Sequence, residues 1–212
     1  MSATSTFPIL FDPDRWVRVP IDYADEQWPD AAAWAEWVAD ELTRDREHAA
    51  ATRPAVHDEA LAVAGNPAEH VGARFWFFPV DGEPDGWVDV YLQFRPADGA
   101  APAAPAAAVE LLPPLSDTVI EPAVTELDDT AFDTAVRRMS LVPLGEAVLG
   151  AGRSGLLAKG EWLAVAGGWV VLLVSADADA RALTRRLGDI DRLLAGIDPA
   201  ALAMLGAAEA PA

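Results

Sequence analysis

The chain of 212 residues contains no cysteine. Disulfide bonds, thiolate zinc sites, iron–sulfur clusters and cysteine nucleophiles are therefore excluded. Positive charge is also scarce, since 15 basic residues stand against 34 acidic ones and the formal net charge is −19. Nucleic acids and anionic membrane surfaces bind proteins through basic patches, so this composition argues against both as partners. A basic protein partner, a cation or solubility alone would account for the acidity.

Long apolar runs and targeting signals are missing as well. The longest apolar run, Trp169 to Val174, is too short to span a membrane and suits a buried strand. Residues 1–10 lack the basic start and the apolar centre of a secretory signal. We therefore expect a cytoplasmic protein without membrane insertion, although a signal that had already been removed would leave no trace.

Motifs for catalysis and for cofactors are not found. Gly150 to Gly155 match G-x-G-x-x-G, but strand-like sequence follows where a dinucleotide site needs a helix, so a turn is the better interpretation. His48, His57 and His70 form no pair at the i,i+3 or i,i+4 spacing of a helical metal site. No serine lies in a G-x-S-x-G elbow. The sequence therefore assigns no catalytic residue, no metal ligand and no cofactor.

What the chain does contain is hydrophobic periodicity, which predicts an α+β protein. Alternation of apolar and polar residues predicts an antiparallel sheet of about six to seven strands, with hairpins over residues 74–95 and 156–175. Apolar residues at helical spacing predict two N-terminal helices within residues 28–65. They also predict one C-terminal helix over residues 177–197, so that helices flank the sheet.

Residues 11–198 are expected to form a single domain. We expect a flexible arm at residues 1–10 and a flexible tail at residues 199–212. Within the domain, the Ala/Pro-rich residues 96–114 are typical of an extended connector. Phe132 to Val142 fit both the strand period and the helix period, and we assign them to a strand.

The second strand of the first hairpin, Trp87 to Arg95, offers a candidate binding surface. Trp87, Asp89, Tyr91 and Gln93 alternate along it and share its polar face. An aromatic pair that faces solvent and is rimmed by acids is typical of a protein-binding surface. The sequence therefore predicts that these four residues contact a partner.

The order of the elements resembles the Mog1/PsbP-like α+β family. The likeness is carried by Glu161-Trp162 and by Gly168-Trp169 to Ser175, which run into the helix from Asp177 to Ile197. It extends over the whole chain in topology. Members of that family are mostly non-enzymatic binding and accessory proteins. The resemblance implies such a role and carries no site residues to this chain.

The leading hypothesis is a non-catalytic, acidic protein that binds another protein, either a basic one or a second copy of itself. A first alternative is a hydrolase-type enzyme whose acid–base groups come from His57, Asp58 and loop carboxylates. A second alternative is a structural subunit of a larger assembly, in which the exposed aromatic face is a contact between copies.

Overall fold

A seven-stranded antiparallel sheet lies at the centre of the computed structural model, which describes residues 7–24, 27–46, 49–67, 69–94, 105–115, 118–145 and 155–209. The strands are β1 (Trp16–Val19), β2 (Ala73–Phe77), β3 (Trp87–Phe94), β4 (Ala123–Glu126), β5 (Thr134–Leu144), β6 (Gly155–Ala166) and β7 (Trp169–Asp177). Their order in the sheet is β1-β2-β3-β7-β6-β5-β4. The helices are α1 (Ala31–Thr43), α2 (Ala49–Ala64), α3 (Pro105–Val109), α4 (Ala180–Ala195) and α5 (Pro199–Glu209).

This architecture confirms the α+β class, the antiparallel sheet and the flanking N-terminal and C-terminal helices. Phe132 to Val142 fall almost entirely in β5, between β4 and β6, so their assignment to a strand is correct. No helix within the described ranges is both long enough and apolar enough to cross a membrane.

The main core lies between one face of the sheet and α4. Asp179 caps the start of α4, because its Oδ1 accepts a hydrogen bond of 2.9 Å from the backbone N–H of Arg181. The apolar stripe that follows buries Leu183, Ile190 and Leu194 completely against the sheet. The β6–β7 turn that leads into this unit consists of two glycines with positive φ, as a two-residue hairpin requires.

The opposite face of the sheet is covered in two places. Helices α1 and α2 pack over β1, β2 and β3, where Trp34, Val38 and Val56 are buried around Trp76. Helix α3 and the residues after it pack over β5, β6 and β7, where Leu112 is buried with hydrophobic side chains of these strands. The centre of this face lies between the α1–α2 pair on one side and α3 on the other.

The structure corrects the expected flexible tail and, in part, the expected arm. Residues 199–209 form α5, and Leu202 is completely buried in the main core. In the arm, Ile9 pairs with Ile197, and the N–H of Leu10 donates to Gly196 O at 2.8 Å. The sequence did not show either contact, because both depend on a neighbour that is distant in the chain.

The expected extended connector at 96–114 is also corrected in part. Its residues Pro105–Val109 form α3, and Leu112 follows as a buried side chain. Alanine is the strongest helix former, so a short alanine-rich turn of helix is stable once the sheet covers one side of it. Residues 95–104, like residues 1–6 and 210–212, lie outside the described residues.

Two substitutions in α5 test whether this helix is part of the domain. Leu202→Ala should lower the free energy of unfolding by about 2 kcal/mol or more, because it leaves a cavity in the main core. Met204→Ala is the matched control, since Met204 is 70% exposed and its truncation should change stability little. Chemical denaturation measures both values, and equal values for the two variants would show that α5 does not dock.

Candidate functional site

The strand β3 alternates as the sequence predicts, but its polar face is partly covered. Val88 and Val90 are completely buried in the main core, and the other face carries the four predicted site residues. Trp87 is half-buried and packs against the cluster formed by α1 and α2. It therefore supports the helix layer and is not a fully solvent-facing aromatic residue.

Asp89 is held in an ion pair with Arg74 on the neighbouring strand β2. Two bonds join them, from Arg74 Nε to Asp89 Oδ1 at 2.6 Å and from Arg74 Nη2 to Asp89 Oδ2 at 3.1 Å. The same guanidinium donates to the carbonyls of Val63, Asn66 and Pro67 at 2.8–3.0 Å. Arg74 is 1% exposed, so its charge is buried and depends on these hydrogen bonds. Asp89 thus holds the guanidinium of Arg74, which fastens the end of α2 to the sheet.

Tyr91 and Gln93 lie further along the same face, opposite Leu172 and Val170 of β7. Tyr91 is half-buried. Burial raises the pKa of its hydroxyl most, and the neighbouring carboxylate of Asp89 raises this pKa further. Gln93 is exposed. Of the four predicted residues, these two retain surface that is not already part of the helix–sheet contact.

A second buried ion cluster lies on the same face of the sheet as Arg74, on strands β5 and β6, and the sequence did not reveal it. Glu161 of β6 is 0% exposed and accepts from Arg138 at 2.6 and 2.9 Å and from Lys159 at 2.8 Å. Arg138 also donates to Pro113 O at 2.7 Å, which fastens the segment after α3. Asp89 and Glu161, which lie on the same face of the sheet, are thus each paired with an arginine.

His57 belongs to a network of charges between α1 and α2. Its Nδ1 lies 3.2 Å from Asp58 Oδ1 and its Nε2 lies 3.7 Å from Glu36 Oε2. Glu36 is also paired with Arg53, which bonds Asp40 as well. The hydrogen bond from Arg53 lowers the pKa of Asp40. These contacts are on the outer surface of the helix pair and join the two helices.

Two clefts flank the turn between β2 and β3. One of about 520 Å³ lies towards α1 and α2 and includes Arg46 and Phe78. The other, of about 360 Å³, lies towards α4 and includes Arg15 and Arg185. Arg46 is bound to two backbone carbonyls of the turn, and its guanidinium stacks 4.3 Å above the ring of Phe78. Neither cleft is lined by His57.

Glu59 is a half-buried carboxyl near this turn, and its pKa is raised. Burial raises its pKa most, and Asp85 and Glu83 raise it further. A hydrogen bond of 3.3 Å from Trp76 Nε1 acts in the opposite direction. No metal-binding group of three or more His, Asp or Glu residues is found in the part of the chain that the structure describes.

The strand β4 is the outer edge of the sheet, and all four of its residues are exposed. The N–H of Leu127, just after β4, donates to Ala135 O at 3.0 Å. Bonded and unbonded residues alternate in an antiparallel pair, so Ala123 and Thr125 turn their backbone groups towards β5. Val124 and Glu126 therefore direct their N–H and C=O groups away from the sheet.

Exposed apolar side chains accompany this open edge. Val124 is 48% exposed, and the preceding Val119 and Ile120 are 53% and 59% exposed. None of the residues that the sequence predicts to contact a partner lies in this segment. Only the sheet order shows that nothing described pairs with the outer side of β4.

Several residues considered in the sequence lie outside the described residues. These are His48 and residues 150–154 of the glycine-rich motif. A comparison with protein-family models gives no match, and neither does a search of curated proteins.

Removing Asp89 should destabilise the fold. Asp89→Ala leaves Arg74 charged and buried without its carboxylate, and the free energy of unfolding should fall by about 3 kcal/mol. Asp40→Ala is the control, because it breaks an arginine–carboxylate pair on the surface and should change stability little. Urea denaturation compares the two, and a similar small effect for both would contradict the structural role of Asp89.

Replacing Glu59 should reveal its raised pKa. The folded state binds the Glu59 proton more tightly than the unfolded state does. The stability that comes from this tighter proton binding is fully present below the unfolded pKa of Glu59 and is lost as the pH rises through the folded pKa. Glu59→Gln, which can still accept from Trp76, should therefore be more stable than the natural chain at pH 7. The gain should be only about a few tenths of a kcal/mol, because water screens a half-exposed carboxyl.

Denaturation from about pH 7 down to pH 4 measures this difference, which should shrink as the pH falls. A difference that stays constant over this range, or a variant less stable at pH 7, would contradict the raised pKa of Glu59.

Proposed function

We propose that the chain is a non-catalytic protein-binding or accessory protein and that its partner binds at the β4 edge. One observation carries the proposal: Val124 and Glu126 point their backbone N–H and C=O groups away from the sheet, beside exposed apolar side chains. An extended segment of a partner can add to such an edge as a further strand. Backbone hydrogen bonds then provide affinity, and the side chains of the edge provide specificity.

The other edge of the sheet is a poorer docking site. At β1 the terminal side chains, Trp16 and Val19, are 3% and 2% exposed, and Pro20 follows directly. A partner strand there would meet little free side-chain surface. The four exposed residues of β4 offer both backbone groups and side chains.

The catalytic alternative has less support. His57 contacts carboxylates, but Glu36 is shared with Arg53 and the group lies on the outside of two helices, away from the clefts described above. An acid–base pair needs a place for substrate within hydrogen-bonding reach. The described surroundings of His57 are better explained by attachment of α2 to α1.

The resemblance to Mog1/PsbP-like proteins belongs to this proposal, because it implies binding or accessory work. A cytoplasmic location is part of it as well. Tyr91 and Gln93 form a second surface that a partner could contact, separated from β4 by α3 and by the segment that Arg138 holds. The β4 edge is preferred because it combines open backbone groups with apolar side chains.

A proline in β4 tests the proposed edge. Val124→Pro removes an outward N–H group and obstructs a further strand, whereas the bonds to β5 come from Ala123 and Thr125 and are retained. Capture of partners on the immobilised chain, quantified by mass spectrometry, should lose a set of proteins with Val124→Pro. Val124→Ala keeps the N–H and should retain most of that set.

Circular dichroism and a thermal melt check that both variants fold. Gln93→Arg is a further control, because it changes the second surface only. The proposal is wrong if Val124→Pro captures the same proteins as the natural chain, or if capture is lost with Gln93→Arg alone.

A further inference from the structure

We propose that the occupant of the β4 edge is a basic, extended segment of another protein, with an arginine or lysine seated in the acidic cleft at one end of the strand. The inference rests on the proposed function, because it identifies the partner of the same edge. It is carried by three features of this edge, namely its open backbone groups, its exposed apolar side chains and its uncompensated negative charge.

The charge around β4 is one-sided. Between Arg95 and Arg137 the sequence has eight acidic residues and no lysine, arginine or histidine. Within the described part of this segment, four exposed carboxylates flank the edge, those of Glu121, Glu126, Asp128 and Asp129. None of these four makes an ion pair with a described residue.

Several carboxylates elsewhere on the molecule are paired with arginines and fix the fold. Asp89 and Glu161 are bonded to arginines, as described above, and Asp85 and Asp177 are both paired with Arg186, which is 0% exposed. The unpaired carboxylates beside β4 therefore differ from those that fix the fold. They are available for charges that the chain itself does not provide.

A cleft of about 340 Å³ continues from the end of β4. Glu126, Asp128 and Asp129, each with an unpaired carboxylate, are among the residues that line it. Two further charged residues line it but are already engaged. Asp191 accepts from Arg137 at 2.6 Å, and Arg192 is bonded to Asp189. The cleft thus has an excess of acceptors that suits a guanidinium or an ammonium group.

The geometry of β4 also sets the pattern of the partner segment. Val124 and Glu126 lie on the same face of the strand, and the cleft begins at Glu126. A partner strand alongside rises about 3.3 Å per residue. An apolar side chain beside Val124 would therefore be followed by a basic one where the partner strand passes the end of β4 and reaches the cleft. This is the pattern of an alternating strand that ends in Arg or Lys.

A second copy of this chain fits the edge less well. Pairing two β4 edges would bring the same unpaired carboxylates together, in a protein whose net charge is already −19. Like charges placed opposite each other destabilise strand pairing. Acidic side chains on an edge are also a known protection against self-pairing. The charge that disfavours a second copy favours a basic partner.

Labelled synthetic peptides test the inference with the full-length chain. One peptide alternates valine and threonine and ends in Arg-Arg-Lys, and two matched peptides replace the three basic residues by glutamine or by glutamate. Fluorescence anisotropy should show binding of the basic peptide about tenfold or more tighter than of the glutamine peptide, and no binding of the glutamate peptide. Added salt should weaken the basic peptide most, since exposed charges are screened.

Two triple variants separate local charge from net charge. Glu126→Gln, Asp128→Asn and Asp129→Asn together should lower the affinity for the basic peptide about tenfold. The control combines Asp58→Asn, Glu69→Gln and Asp81→Asn, whose side chains are 81–87% exposed and lie elsewhere. It changes the net charge equally and should leave the affinity nearly unchanged.

The outcomes distinguish this inference from the proposed function. If basic and glutamine peptides bind equally and Val124→Pro abolishes both, the edge binds a partner but the basic partner is wrong. If no peptide depends on Val124→Pro, the docking edge itself is wrong. If the two triple variants weaken binding equally, attraction is due to net charge and the acidic cleft is not a site.

Discussion

The buried guanidinium of Arg74 is the contact on which the arrangement of the two layers depends. It joins β2 to β3 through Asp89 and, at the same time, takes up three carbonyl oxygens at the end of α2 and just beyond it. A helix end leaves such carbonyls without partners, and burying them unbonded would be costly. One arginine therefore satisfies the helix end, places α1 and α2 over the sheet, and removes Asp89 from the set of residues free to bind a partner.

A second buried ion cluster on the sheet also fastens a covering segment, whereas the carboxylates at the edge of the sheet do not. On the same face of the sheet, Glu161 is neutralised by Arg138 and Lys159, and Arg138 in turn fastens the segment after α3. These interactions hold α2 and the segment after α3 on the sheet. The carboxylates beside β4 hold nothing in the described structure. A surface with open backbone groups and unpaired carboxylates is therefore left where the sheet ends, and this is the physical basis for the partner proposed there.

Particular residues show how far sequence patterns could lead. The alternation of apolar and polar residues in β3 correctly predicted that Val88 and Val90 lie on the opposite face from Asp89 and Tyr91. Side chains alternate between the two faces of any strand, whichever elements pack against them. Whether that face is wet depends on which helix crosses it, and nothing in β3 encodes the position of α2. Likewise the place of β4 at the edge could not be predicted, since strand order is set by contacts between distant segments.

The sequence by itself determined the class of fold, the helical stripe of α4, the strand character of Phe132 to Val142 and the absence of cysteine chemistry. These follow from local periodicity and composition. Only the tertiary structure decided that Trp87 supports a helix layer, that Leu202 belongs to the core and that no described residue pairs with the outer side of β4. Each of these depends on a partner tens of residues away, because burial and pairing are properties of the packed chain and not of the local pattern.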